Sequence, residues 1–120
     1  MNNKEFSKEL ENRTKIFAIN IIKLSSSFPN TPESKVIRNQ LTKSGTSIGA
    51  NYREAKRSRS RADFINKIKI CESEASETKY WLEIITDLKW IDSNTLELIS
   101  TEATEILALF TSIGKGLKNP

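Results

Sequence analysis

Apolar residues recur along this chain at helical intervals almost from end to end. Phe6, Leu10, Phe17, Ile21, Leu24 and Phe28 follow one another at steps of four, seven, four, three and four. Such steps return to one side of a helix and never alternate as a strand does, so the pattern predicts a first helix from about Lys4 to Ser27. Phe28-Pro29-Asn30-Thr31-Pro32 ends it, because Pro cannot continue a helix and pushes the residue before it towards extended geometry. Thr31 suits the N-cap of a second helix, with Pro32 at its first position. That helix, to about Lys56, presents Ile37, Leu41, Ile48, Tyr52 and Ala55. Ser60 caps the third, with Asp63 at the capping-box position. Phe64, Ile68, Cys71, Ala75, Thr78, Leu82 and Ile85 then step four-three-four-three-four-three, a near-heptad seam. A second stripe beside it reads Ile70, Glu74, Glu77, Trp81, Ile84, Leu88. After a turn at Trp90-Ile91-Asp92-Ser93, a fourth helix from about Asn94 carries Leu96, Ile99, Ala103, Ile106, Phe110, Ile113 and Leu117, and Gly114 and Gly116 are expected to loosen its end.

Short connections between long helices make antiparallel neighbours. The expected fold is therefore all-α, an antiparallel up-down-up-down four-helix bundle formed by a single domain over residues 1–120. Composition agrees with this: hydrophobic residues make up 37% and charged ones 28%, which suits a helical protein with a charged surface. No apolar run approaches the roughly 20 residues of a membrane span. Met1-Asn2-Asn3-Lys4-Glu5 has no apolar signal core, and the single Cys71 fits a reducing compartment, so a cytoplasmic protein with no membrane role is expected.

Histidine is absent. The usual general base near neutral pH and the commonest metal ligand are thereby missing, and no cofactor or metal is expected. What remains for chemistry is carboxylate. Glu74 and Glu77, one turn apart, are the candidates, with Asn51 and Glu54 on the second helix. Di-iron bundles pair such glutamates with Glu-x-x-His, which this chain lacks. Asn51, Glu54, Glu74 and Glu77 are therefore expected as a polar core or interface group hydrogen-bonded to the second helix or to another subunit, and no catalytic residue is assigned.

Charge sharpens the picture. Residues 35–69 carry ten Lys or Arg against two acids, and residues 70–113 carry nine acids against two Lys. The density peaks at Arg53, Lys56, Arg57, Arg59 and Arg61, five cations within nine residues. Arg and Lys so placed can hold phosphates without reading sequence, and no interleaved aromatic offers a stacking platform for bases. RNA or DNA is the expected partner of this cluster. Just before it, Gly45 and Gly49 lie one turn apart among Ser44, Ser47 and Ala50. Each Gly costs about 1 kcal/mol against Ala inside a helix, so the pair argues for close approach of another backbone, in the same bundle or in another subunit. Lys43, Asn51 and Arg53 around it exclude a membrane G-x-x-x-G. We place Gly45 and Gly49, with the large aromatic Trp81, at an oligomer interface. Tyr52, Tyr80 and Trp90 are further core or interface anchors, and Cys71 on the seam is a small buried apolar residue.

Thr46-Ser47-Ile48-Gly49-Ala50-Asn51-Tyr52-Arg53-Glu54-Ala55, Ser60-Arg61-Ala62-Asp63-Phe64 and Ala75-Ser76-Glu77-Thr78-Lys79-Tyr80-Trp81-Leu82-Glu83 carry a resemblance. In them the chain resembles the bacterial four-helix-bundle family related to proteins encoded in intervening sequences of large-subunit rRNA genes. In the first and fourth helices only the apolar pattern and the Phe28-Pro29 break agree. The resemblance implies a ring-like homo-oligomer, typically a pentamer, around a positively charged centre, and no enzymatic activity. A related branch, the accessory variability proteins of retroelements, works with a reverse transcriptase and its RNA, which implies a possible protein partner. Cys71-Glu72-Ser73-Glu74 departs from the more apolar Ala-Leu-Lys-Glu of relatives. A purely protein-protein adaptor, its basic and acidic segments meeting between subunits, is the alternative.

Overall fold

The computed structural model describes residues 2–118 and contains α1 (Asn3–Ser25), α2 (Pro32–Ala55), α3 (Arg61–Leu88) and α4 (Ser93–Lys118). Each begins where a side chain can take the orphan amides of its first turn. Asn2 Oδ1 accepts from the Glu5 amide at 2.8 Å. Thr31 Oγ1 accepts from Ser34 at 3.1 Å, with Pro32 in the first helical turn. Ser60 Oγ accepts from Asp63 at 3.1 Å. The expected order and caps are all found, with ends shifted by one or two residues. One expectation fails: Gly114 and Gly116 do not loosen α4, which runs helically through both. An isolated Gly costs a helix about 1 kcal/mol, too little to stop one already packed along its length.

The helices pack in chain order around a square, α2 against α3 most extensively and α1 against α4 least. The bundle measures 47 × 26 × 21 Å. Its long axis matches helices of 23 to 28 residues, which at 1.5 Å per residue span about 35 to 42 Å. Among the described residues there is no strand, and no helix is long and apolar enough to cross a membrane.

The predicted stripes supply the core, except the second stripe of α3, whose Ile70, Glu74, Trp81 and Ile84 are half-buried and whose Glu77 and Leu88 are exposed. Phe17, Ile21, Leu41, Ile48, Ile68, Leu82, Ile85, Ile106 and Phe110 are all fully buried. Phe6, the first residue of the α1 stripe, is 37% exposed, because the first turn projects past the packed length. Two buried hydroxyls meet across the core between α2 and α3: Thr78 Oγ1 donates to its own helix at Glu74 O, 2.7 Å away, and stands 3.0 Å from Ser44 Oγ, from which it can accept. A buried hydroxyl without a partner is costly, and this pair satisfies itself.

The small residues of α2 are used within the chain. A Cβ on Gly45 would stand 2.9 Å from Cγ2 of the buried Ile21, and one on Gly49 would stand 3.0 Å from Thr14 Oγ1 and 3.3 Å from the α1 backbone. Thr14 lies close enough for this because its hydroxyl turns back on α1, to Leu10 O and Glu11 O at 3.0 Å each. Gly45 and Gly49 thus serve the close approach within the bundle, the first of the two uses the sequence allowed. They let α1 lie against α2 in one molecule.

Candidate functional site

Alternating helix direction gathers the start of α1, the end of α2, the start of α3 and the end of α4 at one end of the rod. Tyr52, buried, closes that end from within: its hydroxyl lies 2.9 Å from Ser7 Oγ and its ring meets Phe110 edge-on at 5.5 Å. The five cations of the sequence cluster sit around this plug. Arg53, Lys56 and Arg57 occupy the last turn of α2 and its cap, where the helix dipole favours positive charge. Arg61 begins α3, the wrong end for a cation, but its guanidinium donates to Leu117 O at 2.7 Å. It thereby satisfies an orphan carbonyl at the end of α4.

The cations are not equally available. Glu11 of α1 accepts from Arg53 Nε at 3.0 Å through one oxygen and from Lys56 Nζ at 2.7 Å through the other. Hydrogen bonds from Lys56 and Arg53 hold the Glu11 carboxyl below the ordinary range. Lys67 pairs with Glu54 at 3.1 Å. Arg57 and Arg59 are exposed and make no ion pair among the described residues. The cluster thus divides into two unpaired arginines, two cations held by Glu11 and one used as a cap. A groove of about 440 Å³ runs from it between α1 and α2, floored by Ala18, Gly49 and Ala50 and bordered by Lys15, Arg53 and Arg57. Of the aromatic rings at this end Tyr52 is buried and Phe64 half-buried, while Phe6 at the start of α1 is 37% exposed.

The polar group expected between α2 and α3 is not in the core. Asn51 is half-buried and donates back to Ser47 O at 2.8 Å; Glu54 is exposed on Lys67; Glu77 is exposed. Glu74 is half-buried, with Oε2 sealed from solvent and unpartnered, and burial together with the Glu77 charge pushes its carboxyl up. The hydrogen bonds to helix two expected of these carboxylates are made by Thr78 and Ser44 instead, since only short hydroxyls fit between the closely packed axes. Among the described residues no group of three or more Cys, Asp or Glu could hold a metal ion. Cys71 is fully buried, donates weakly to Ile48 O and has its thiol pushed up to about 12 by burial, which removes thiolate chemistry near neutral pH.

Trp81 is half-buried beside the exposed Tyr80, ring centroids 5.1 Å apart, and its indole N–H has no partner among the described residues. Trp90 packs on Phe28 at 5.6 Å and closes the opposite end. From there a cleft of about 900 Å³ runs between α3 and α4, lined by Leu82, Thr86, Ile91 and Leu96, with Glu83, Asp87 and Glu97 set against Lys79 and Lys89. None of the five clustered cations lines it. Sequence reasoning missed Glu11, the residue that decides which cations are free. It sits forty-odd positions upstream of its partners, and only the packing of α1 on α2 brings them together.

The 23S rRNA-intervening sequence protein model matches residues 8–112. A crystal structure of a protein of unknown function from the S23 ribosomal protein family of Bacteroides thetaiotaomicron superposes with a TM-score of 0.82. It is 42% identical, over 88% of this chain and 98% of that one. No curated protein matches the chain.

Proposed function

The chain belongs to the 23S rRNA-intervening sequence protein family, and on that premise we propose that it is a non-enzymatic assembly protein of the cytoplasm. It forms a homo-oligomeric ring, five subunits by family resemblance, and holds the phosphate backbone of RNA or DNA at its basic end, as accessory to an RNA-handling partner. The observation that carries this reading is the exposure of Arg57 and Arg59, without ion pairs among the described residues, beside three more cations at one end of the rod. Arginine there meets phosphate oxygens through geometry and charge alone. No aromatic residue interleaves with the cations between Arg53 and Arg61, which favours backbone contact over base recognition. Few cations per chain give weak affinity, and a ring multiplies them by avidity.

A second reading is supported by the cleft between α3 and α4. Its Glu83, Asp87 and Glu97 complement the arginine turn of another copy, which would make the charges purely a matter of assembly. Affinity for labelled RNA and DNA, followed against salt, separates the two. The nucleic-acid reading expects log affinity to fall linearly with log salt, and a loss of about tenfold or more at low salt when Arg57 and Arg59 are both replaced by Ala. Binding unchanged by that double substitution defeats it. An oligomer that dissolves as salt rises supports the adaptor.

A further inference from the structure

The groove between α1 and α2 already holds an anion, and it belongs to the protein. Glu11 spends both carboxylate oxygens on cations of the basic end, one on Arg53 and one on Lys56. Nothing in the packing requires this. The Glu11 side chain remains 28% exposed and that of Arg53 61% exposed, in the lining of a groove that also carries Lys15, on α1 with Glu11, and Arg57, just past the end of α2 from Arg53. A carboxylate shared by two cations in such a groove occupies the place where a phosphate oxygen would sit, since both are oxyanions recognised by the same donors.

We propose that Glu11 is a built-in competitor for phosphate: it masks Arg53 and Lys56, and a nucleic-acid backbone that displaces it gains a track along the α1–α2 groove from Arg57 through Arg53 to Lys15, with Lys56 released beside it. The proposal rests on the polyanion reading above and adds a control to it. Of the five clustered cations, Arg57 and Arg59 are the ones that offer themselves in the resting molecule, so encounter is weak and easily reversed. Full engagement requires the carboxylate to give up two charge-assisted hydrogen bonds, and that cost discriminates against ligands with too few phosphates to replace it. A lone phosphomonoester would not repay the exchange; a strand whose successive phosphates run along the groove would.

The test is a charge cycle on the full chain, read by fluorescence anisotropy of a labelled oligouridylate across a salt series. Glu11→Gln keeps size and polarity and removes the charge. It is expected to bind about five- to twenty-fold tighter than wild type near 0.1 M salt, with a log–log salt slope steeper by about 1.4, the value for two further phosphate contacts on a single strand. Arg53→Gln with Lys56→Gln is expected to change wild-type affinity by less than about twofold and to abolish the gain in the Glu11→Gln background. Glu11→Asp, which keeps the charge on a shorter arm, should fall between wild type and Glu11→Gln, and it keeps the test open should Glu11→Gln lose its helical circular dichroism. Equal affinity and slope for wild type and Glu11→Gln overturn the mask, as do equal losses from the Arg53/Lys56 pair in both backgrounds. If Arg57→Ala with Arg59→Ala still weakens binding in that event, the polyanion reading stands without the mask. If neither wild type nor Glu11→Gln binds at any salt, both fall.

Discussion

At the scale of single residues, the same side chain means different things in different places, and glycine makes the point most directly. Gly45 and Gly114 both sit inside helices. A methyl on Gly45 would press into Ile21, which is fully buried and branched at Cβ, whereas a methyl on Gly114 would meet nothing within 4 Å. Overpacking costs about 1–3 kcal/mol and the better helix propensity of Ala returns up to about 1 kcal/mol. Gly45→Ala should therefore destabilise by about 1–2 kcal/mol, and Gly114→Ala should stabilise by up to about 1 kcal/mol; urea midpoints of the two variants moving the same way would contradict this. The carboxylates differ in the same manner. Glu11, held below the usual 4.5, contributes stability above that value that is lost as the pH falls through its lowered pKa. Glu74, raised by burial and by Glu77, does the reverse: it carries no charge penalty while protonated, and that penalty appears as the pH rises through its raised pKa. Glu74→Gln should raise the thermal midpoint at neutral pH and leave it unchanged well below 4.5. The sequence marked Glu74 as odd, since a carboxylate broke an apolar line, but whether it had a partner depended on side chains of another helix. Glu11 carried no mark at all.

At the scale of elements, what was legible is what is local. Periodicity, Pro32 and the hydroxyl caps at Thr31 and Ser60 depend on residues within a turn or two of each other, and all four helices follow from them. Less legible was how α3 stops. Lys89 closes it in the left-handed region at φ 57°, ψ 36°, a position that usually falls to Gly. Nothing in Leu88-Lys89-Trp90 announces it; the turn it makes is followed at once by Trp90, which packs on the distant Phe28 across the end of the bundle. An L-residue there is strained by about 1–2 kcal/mol, and Gly gives some of that back as unfolded-state entropy. Lys89→Gly is expected to stabilise by about 0.5–1 kcal/mol in denaturant titrations. A loss of stability would mean that the lysine side chain, on the rim of the α3–α4 cleft, contributes more than its backbone costs.

At the scale of the whole molecule, the charge asymmetry of the sequence proves to be partly internal. Arg13 of α1 binds Glu102 of α4 through two nitrogens, at 2.7 and 2.6 Å, and reaches Glu105 at 2.8 Å, tying together the two helices that otherwise touch least. Glu11 and Glu54 take three more cations. Charge satisfied within a chain is not available to join chains, which turns the expectation for assembly towards apolar surface. Such surface is present: Ile16, Ile19 and Ile22 project from α1 on the side away from Phe17, Ile21 and Leu24, each between 43 and 51% exposed, and Leu98 of α4 is 75% exposed. Apolar association is strengthened by salting-out ions and indifferent to screening, whereas contacts between acidic and basic segments weaken as salt rises. Sedimentation of nuclease-treated protein is thus expected to give a multiple of 13.6 kDa that persists in high salt, and the RNA-binding activity of the same sample to vanish there. Ile19→Lys should lower the mass without lowering helicity. A mass of one chain at every concentration would remove the avidity on which two unpaired arginines per subunit depend, and an oligomer that fell apart with rising salt would return the arginines to the interface between copies.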